Sequence, residues 1–185
     1  MERNYYYFIA TLPSLSYGDK PPMSSGEFLE QCADHLHTDD IALLEYCCYD
    51  PKLAVETVQT TGSDFIDAFL LRERALILNL AFSRGAKLKR PAAEDPPQDM
   101  PRTAARAKAV FEMDDPLEAA ILMDQSRWNT LDNMLGIDPF GSNNLFTYFL
   151  KLQLMERRQL FNAEKGSAEY RGLYDTILNE YNSRV

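Results

Sequence analysis

Histidine and cysteine are scarce in this sequence: two and three residues out of 185. That leaves little material for a histidine-activated serine or thiol, and no Gly-x-Ser-x-Gly elbow is present. The eight glycines are scattered singly, which excludes a Gly-rich phosphate loop. Basic charge is short as well. Nineteen Lys and Arg against 28 Asp and Glu give a net charge of −9. Such a balance argues against wrapping a nucleic-acid backbone and against direct binding to an anionic membrane surface. No apolar run approaches the ~20 residues that span a bilayer. The first ten residues lack the basic region and long apolar stretch of a secretory signal. Three cysteines, two of them adjacent, make no disulfide framework and fit a reducing cytoplasm.

What is present is a helical pattern. Hydrophobic content of 45% and charged content of 25% are those of a folded globular protein. Residues 4–12 are aromatic and β-branched, which favours a strand, yet no second strand is there to pair with it. They are expected to be a buried segment, strand or helix. Residues 13–23, with Pro13, Gly18, Pro21 and Pro22, predict a loop. Ser24 and Glu27 have capping-box spacing and open a helix to about His37. Asp39 or Asp40 caps the next, which ends near Tyr49. Gly62-Ser63-Asp64 starts a long helix that fades through Arg84 and Gly85. Residues 90–101 carry Pro91, Pro96, Pro97 and Pro101 and no apolar periodicity, so they predict an exposed linker between two helical halves. A short helix over 103–113 follows. Asp115-Pro116 then gives the N-cap and proline-at-N1 start of a helix to about Leu135. Ser142 or Asn143 caps another helix, and Gly166-Ser167 breaks it from a last one reaching Tyr181. The expected class is all-α: about seven helices in a single domain over 1–185, with a Pro-rich mid-chain loop.

Three acids interrupt the apolar faces. At ~100° per residue, Glu73 falls between Phe69, Leu76 and Leu80 on one side and Ile66 and Ile77 on the other. Asp124 falls among Leu117, Ile121, Trp128 and Leu131, and Glu156 among Leu145, Phe149, Leu152 and Leu160. Buried carboxylates must be paired or hydrogen-bonded, and Arg72, Arg127 and Arg157, or for Glu73 and Glu156 a ring of backbone donors, are the expected partners. The competing reading joins the three acids in a metal pair or an acid–base site. A di-metal bundle site needs Glu-x-x-His on two helices, which is missing. Cys32, His35, His37, Cys47 and Cys48 could tempt a zinc assignment, but Cys32 and His37 project ~140° apart and Cys47 and Cys48 diverge. Core thiols and exposed histidines are the simpler reading. No catalytic residue, metal or cofactor is assigned. Tyr170, Tyr174, Ile177 and Tyr181 form one face of the last helix, a packing stripe or an interface. Arg102, Arg106 and Lys108 form a basic face, either solvated or able to dock an acidic partner.

Residues 65–84, with Arg72-Glu73-Arg74 ahead of Asn79-Leu80 in an apolar helix, resemble a helix of the C-type (or d-type) subunit of V-type ATPases. Residues 144–161, followed by Glu164-Lys165-Gly166, resemble another. Further features look like an uncharacterised bacterial family encoded beside V-type ATPase subunits. These are Tyr5-Tyr6-Tyr7, Leu12-Pro13, Lys20-Pro21-Pro22, Asp115-Pro116-Leu117-Glu118, Arg127-Trp128 and Lys151-Leu152-Gln153, which together span nearly the whole chain. The chain is shorter than a full C-type subunit, which repeats its helical unit three times. The resemblance implies a non-catalytic subunit or assembly factor of a bacterial V-type ATPase or ATP synthase, with ion transport and ATP chemistry in other subunits. It would act as an adaptor between rotor stalk and membrane ring. It would be cytoplasmic and peripheral to the inner membrane through those partners. A small helical enzyme or ligand binder using the buried carboxylates is the alternative.

Overall fold

The computed structural model describes residues 5–44, 46–47, 60–90, 94–137 and 139–161. Within them lie seven helices and no strand: α1 Tyr6–Thr11, α2 Ser25–His35, α3 Thr38–Leu44, α4 Asp64–Lys87, α5 Pro101–Phe111, α6 Pro116–Met134 and α7 Ser142–Leu160. The fold is an all-α bundle. The expected last helix, with Tyr170, Tyr174, Ile177 and Tyr181, lies outside the described residues, as does Cys48. The ambiguous N-terminal segment is helical instead. The short helix pairs part of its own backbone, and the Tyr5 N–H donates to the Phe140 carbonyl at 2.8 Å. Tyr5 and Phe8 enter the core while Tyr6 and Tyr7 stay exposed.

Local chemistry sets most of the helix starts. The Ser24 hydroxyl accepts the Glu27 N–H, while the Glu27 carboxylate accepts the Ser24 N–H at 2.7 Å. That reciprocal pair holds the Glu27 carboxyl below its ordinary pKa. Ser63 caps α4, and Asp115, followed by Pro116 at N1, caps α6. Three expectations need correction. Helix α3 begins at Thr38, so Asp39 and Asp40 lie inside its first turn rather than capping it, and it ends at Leu44. Helix α7 begins after Gly141 with no side-chain cap, so neither Ser142 nor Asn143 fills that role. The Pro-rich segment is also not simply exposed. Pro96 is buried, Glu94 forms a two-oxygen pair with Arg74 of α4 at 2.7 and 2.9 Å, and Pro101 is the first residue of α5. Proline at N1 costs no hydrogen bond, so it starts the helix as readily as it ends a loop.

Helix α7 is the hub. Leu145, Phe146, Phe149, Leu150, Leu152, Leu154 and Met155 are all buried, and α7 packs on α2, α3 and α6. Phe28 of α2, fully buried, stacks between Phe8 and Phe149 at 6.2 and 5.8 Å between ring centroids. The first half of α4 joins this core through Phe65, Ile66, Phe69 and Leu70. Its second half packs Leu76 and Leu80 against Ala107 and Val110 of α5 in a smaller cluster. Residues from both sides of the Pro-rich segment thus share one core, because the apolar faces of either half are too wide to bury alone.

The loop after α1 is pinned by its aromatic side chain. Tyr17 lies edge-on to Trp128 at 5.5 Å and under the Arg158 guanidinium at 4.8 Å, and its hydroxyl donates to the Ile121 carbonyl at 3.1 Å. Gly18 follows with φ of +103°, a turn that L side chains rarely adopt. Lys151 lies over the Trp128 ring at 4.5 Å and pairs with Asp132. The Arg127-Trp128 and Lys151-Leu152 pairs therefore meet where α6 crosses α7.

Candidate functional site

Glu73 sits mid-way along α4, where the helix passes from the main core to the smaller cluster. Its side chain points at α6, and both of its oxygens are taken by Arg127. The guanidinium donates through Nε at 3.0 and 3.1 Å and through a terminal nitrogen at 2.7 Å. A second terminal nitrogen donates to Asp124, one turn earlier on α6, at 3.0 Å. The other Asp124 oxygen faces Nε of Arg157 on α7 at 3.5 Å. Glu73, Asp124 and Arg127 are all buried. One arginine fork thus holds both Glu73 oxygens and one Asp124 oxygen. The other Asp124 oxygen is buried without a hydrogen bond, and Arg157 balances its charge. The network ties together α4, α6 and α7.

Glu156 takes a different partner. It is half-buried and reaches the start of α2, where it accepts the Ser25 N–H and hydroxyl at 2.7 Å each. A carboxylate there meets unsatisfied N–H groups and the positive end of the helix dipole. Of the two expected kinds of partner, arginine or backbone donors, Glu156 thus takes a backbone N–H with a hydroxyl beside it. The expectation of full burial is corrected, since helix periodicity gives its direction but not its depth near the end of α7. Arg157 is likewise only half-buried. Arg72 holds no buried acid. It donates to the Ala68 carbonyl at 3.2 Å and its head lies in a surface groove.

That groove, of about 240 Å³, runs between α4, α5 and α6. Phe69, Leu76 and Glu73 of α4 and Arg127 of α6 line it. Arg72 enters from α4, and Arg102 and Arg106 from successive turns of α5. Ser126, Asn129, Thr130 and Asn133 of α6 complete it. Among the described residues, Arg72, Arg102 and Arg106 have no carboxylate within ion-pair distance. Lys108, the third member of the basic face, pairs along its own helix with Glu112 at 3.8 Å. The convergence on Arg72 was not read from the sequence. Its one sequence signal is that neither Arg102 nor Arg106 has an acid three or four residues away within α5.

A second cleft, of about 210 Å³, lies between α1, the following loop and α7, lined by Leu12, Leu15, Leu135, Thr147 and Tyr148 among others. The Thr147 and Tyr148 hydroxyls are buried and, among the described residues, make no hydrogen bond. Burial pushes the Tyr148 phenol up from its ordinary pKa.

Among the described residues, no three His, Cys, Asp or Glu side chains are placed to share a metal ion. Cys32 and Cys47 are fully buried, and burial pushes the Cys32 thiol up to about 12. The His35 ring stacks on Phe8 at 4.8 Å. No described helix is long and apolar enough to cross a membrane. No protein-family model, curated protein or solved structure matches the chain.

Proposed function

We propose that this chain is a non-catalytic subunit or assembly factor of a bacterial V-type ATPase, an adaptor of the C-type kind between rotor stalk and membrane ring. The observation that carries the reading is how the interhelical acids are used. Glu73 and Asp124 are held by arginines and Glu156 by a helix start. None of the three keeps a free oxygen pair facing a cavity, as an acid–base or ligand-binding role for them would require. Their work is to lock helices in register.

The family-like motifs support the same reading, because they fall at the joints of the bundle. Leu12-Pro13 ends α1, Asp115-Pro116 starts α6, and Arg127-Trp128 and Lys151-Leu152 join α6 to α7. The two segments that resemble helices of the C-type ATPase subunit lie within α4 and along α7. The adaptor is cytoplasmic and meets the membrane through its partner subunits. Tagged chain isolated from its native cells should bring down rotor-stalk or membrane-ring subunits. Recovery of no ATPase subunit under conditions that keep the complex intact would sink the proposal.

A further inference from the structure

We propose that the groove between α4, α5 and α6 is a binding site for a soluble, phosphate-bearing small molecule of two to three negative charges. The inference is independent of the adaptor reading and starts from charge. Glu73 and Asp124 are balanced by Arg127 and Arg157. The groove therefore keeps three positive charges, from Arg72, Arg102 and Arg106, in a chain whose net charge is −9. Three like charges converging on one cleft repel one another, and an anion between them relieves that repulsion.

The donors suit phosphoryl oxygens. A guanidinium offers planar pairs of N–H groups that match a phosphate, and Arg72 spends only one contact on the Ala68 carbonyl. Arg102 and Arg106 stand one turn apart on α5 and line the cleft together with Arg72 of α4, so one phosphoryl group can be gripped from two helices. The first turn of α5 adds to this. Arg102 and Thr103 line the groove, and Met100 at the N-cap supplies no side-chain acceptor for the helix start. Arg127, fixed by Glu73 and Asp124, gives a rigid back wall, and Asn129 and Asn133 provide neutral polar contacts on α6.

Size selects the class. About 240 Å³ lies below the ~300–1,000 Å³ of clefts that take drug-sized ligands. It suits a compact anion better than an extended acidic peptide.

The test is calorimetric titration of the full chain with inorganic pyrophosphate at low salt. Arg72→Gln, Arg106→Gln and, as a control outside the groove, Arg84→Gln are titrated alongside. Saturable one-site binding is expected, weakened about tenfold or more by either groove variant, the loss of roughly one charge-assisted contact. The control should bind like wild type, and circular dichroism should be the same for all four proteins. Arg106 is exposed, so its variant is not at risk of unfolding. Absence of saturable binding, or equal weakening by Arg84→Gln, overturns the proposal. So does binding of a hexaglutamate peptide or of phosphatidic acid vesicles when pyrophosphate does not bind, since the groove would then serve a protein or a lipid surface.

Discussion

Removing the Glu73 carboxylate is the sharpest perturbation of the fold. In Glu73→Ala, Arg127 loses the three contacts it makes to the Glu73 carboxylate and keeps its contact to Asp124. The network of two acids and two arginines then carries one excess positive charge in a buried place. Breaking such a pair costs ~3–5 kcal/mol, mostly from stranding the remaining ion. Arg157, half-buried, faces Asp124 rather than Arg127 and cannot compensate. For a chain of this size each kcal/mol moves Tm by about 2–4 °C, so a fall of roughly 6–20 °C is expected. Urea denaturation followed by circular dichroism gives the free energy directly. Glu73→Leu combined with Arg127→Met should recover part of the loss, because the remaining Asp124 and Arg157 balance in charge. Asp124 still gives up its Arg127 hydrogen bond and keeps only the 3.5 Å contact to Arg157. A Glu73→Ala protein within about 1 kcal/mol of wild type, a small change by the standard of ordinary point mutants, would refute the argument. A double variant worse than the single would show that Arg127's hold on Asp124, and not the orphaned arginine, sets the cost.

Glu156→Ala should cost less, ~1–3 kcal/mol, since Ser25 is left near solvent; a loss as large as that of Glu73→Ala in the same urea assay would contradict the half-buried geometry. The raised pKa of Cys32 makes the folded state hold its proton longer than the unfolded chain does. Stability is therefore fully present below pH 9 and lost as pH rises from there toward about 12. Urea midpoints of Cys32→Ala should fall less steeply with pH over that window than those of wild type, and identical slopes would refute the assignment. Thr147→Val removes a buried hydroxyl without a protein partner, so it should be neutral or stabilising by up to ~1 kcal/mol; a drop of that size in thermal melts would mean that the hydroxyl is satisfied.

Helix starts and the acidic intrusions were legible because they rest on local chemistry. Ser24 with Glu27, Ser63 and Asp115-Pro116 act within one turn of themselves, and a 3.6-residue period places Glu73 and Asp124 on apolar faces whatever packs there. Choice of partner was not legible to the same degree. Arg127 is three residues from Asp124, a spacing that suggests the pair, but its grip on Glu73 depends on how α4 crosses α6. Glu156 shows the limit most clearly. The same periodicity that marks Glu73 marks it too, yet its partner is the start of α2, a junction set by tertiary packing alone. Residues 4–12 were ambiguous for a related reason, since aromatic residues suit either a strand or a short helix capped into a core. The groove was half-visible. Arg102 and Arg106 stand out as one face, but only the crossing of α4 brings Arg72 to the same cleft.

The adaptor account is tested most directly in native cells lacking this chain, by native gel electrophoresis of their V-type ATPase. The account predicts that the intact complex is lost or reduced. It predicts restoration by the wild-type chain and also by the Glu73→Leu, Arg127→Met double variant, because the carboxylate would serve the fold and not a reaction. An ATPase that assembles and works fully without the chain would contradict the account. So would a double variant that folds normally but fails to restore the complex.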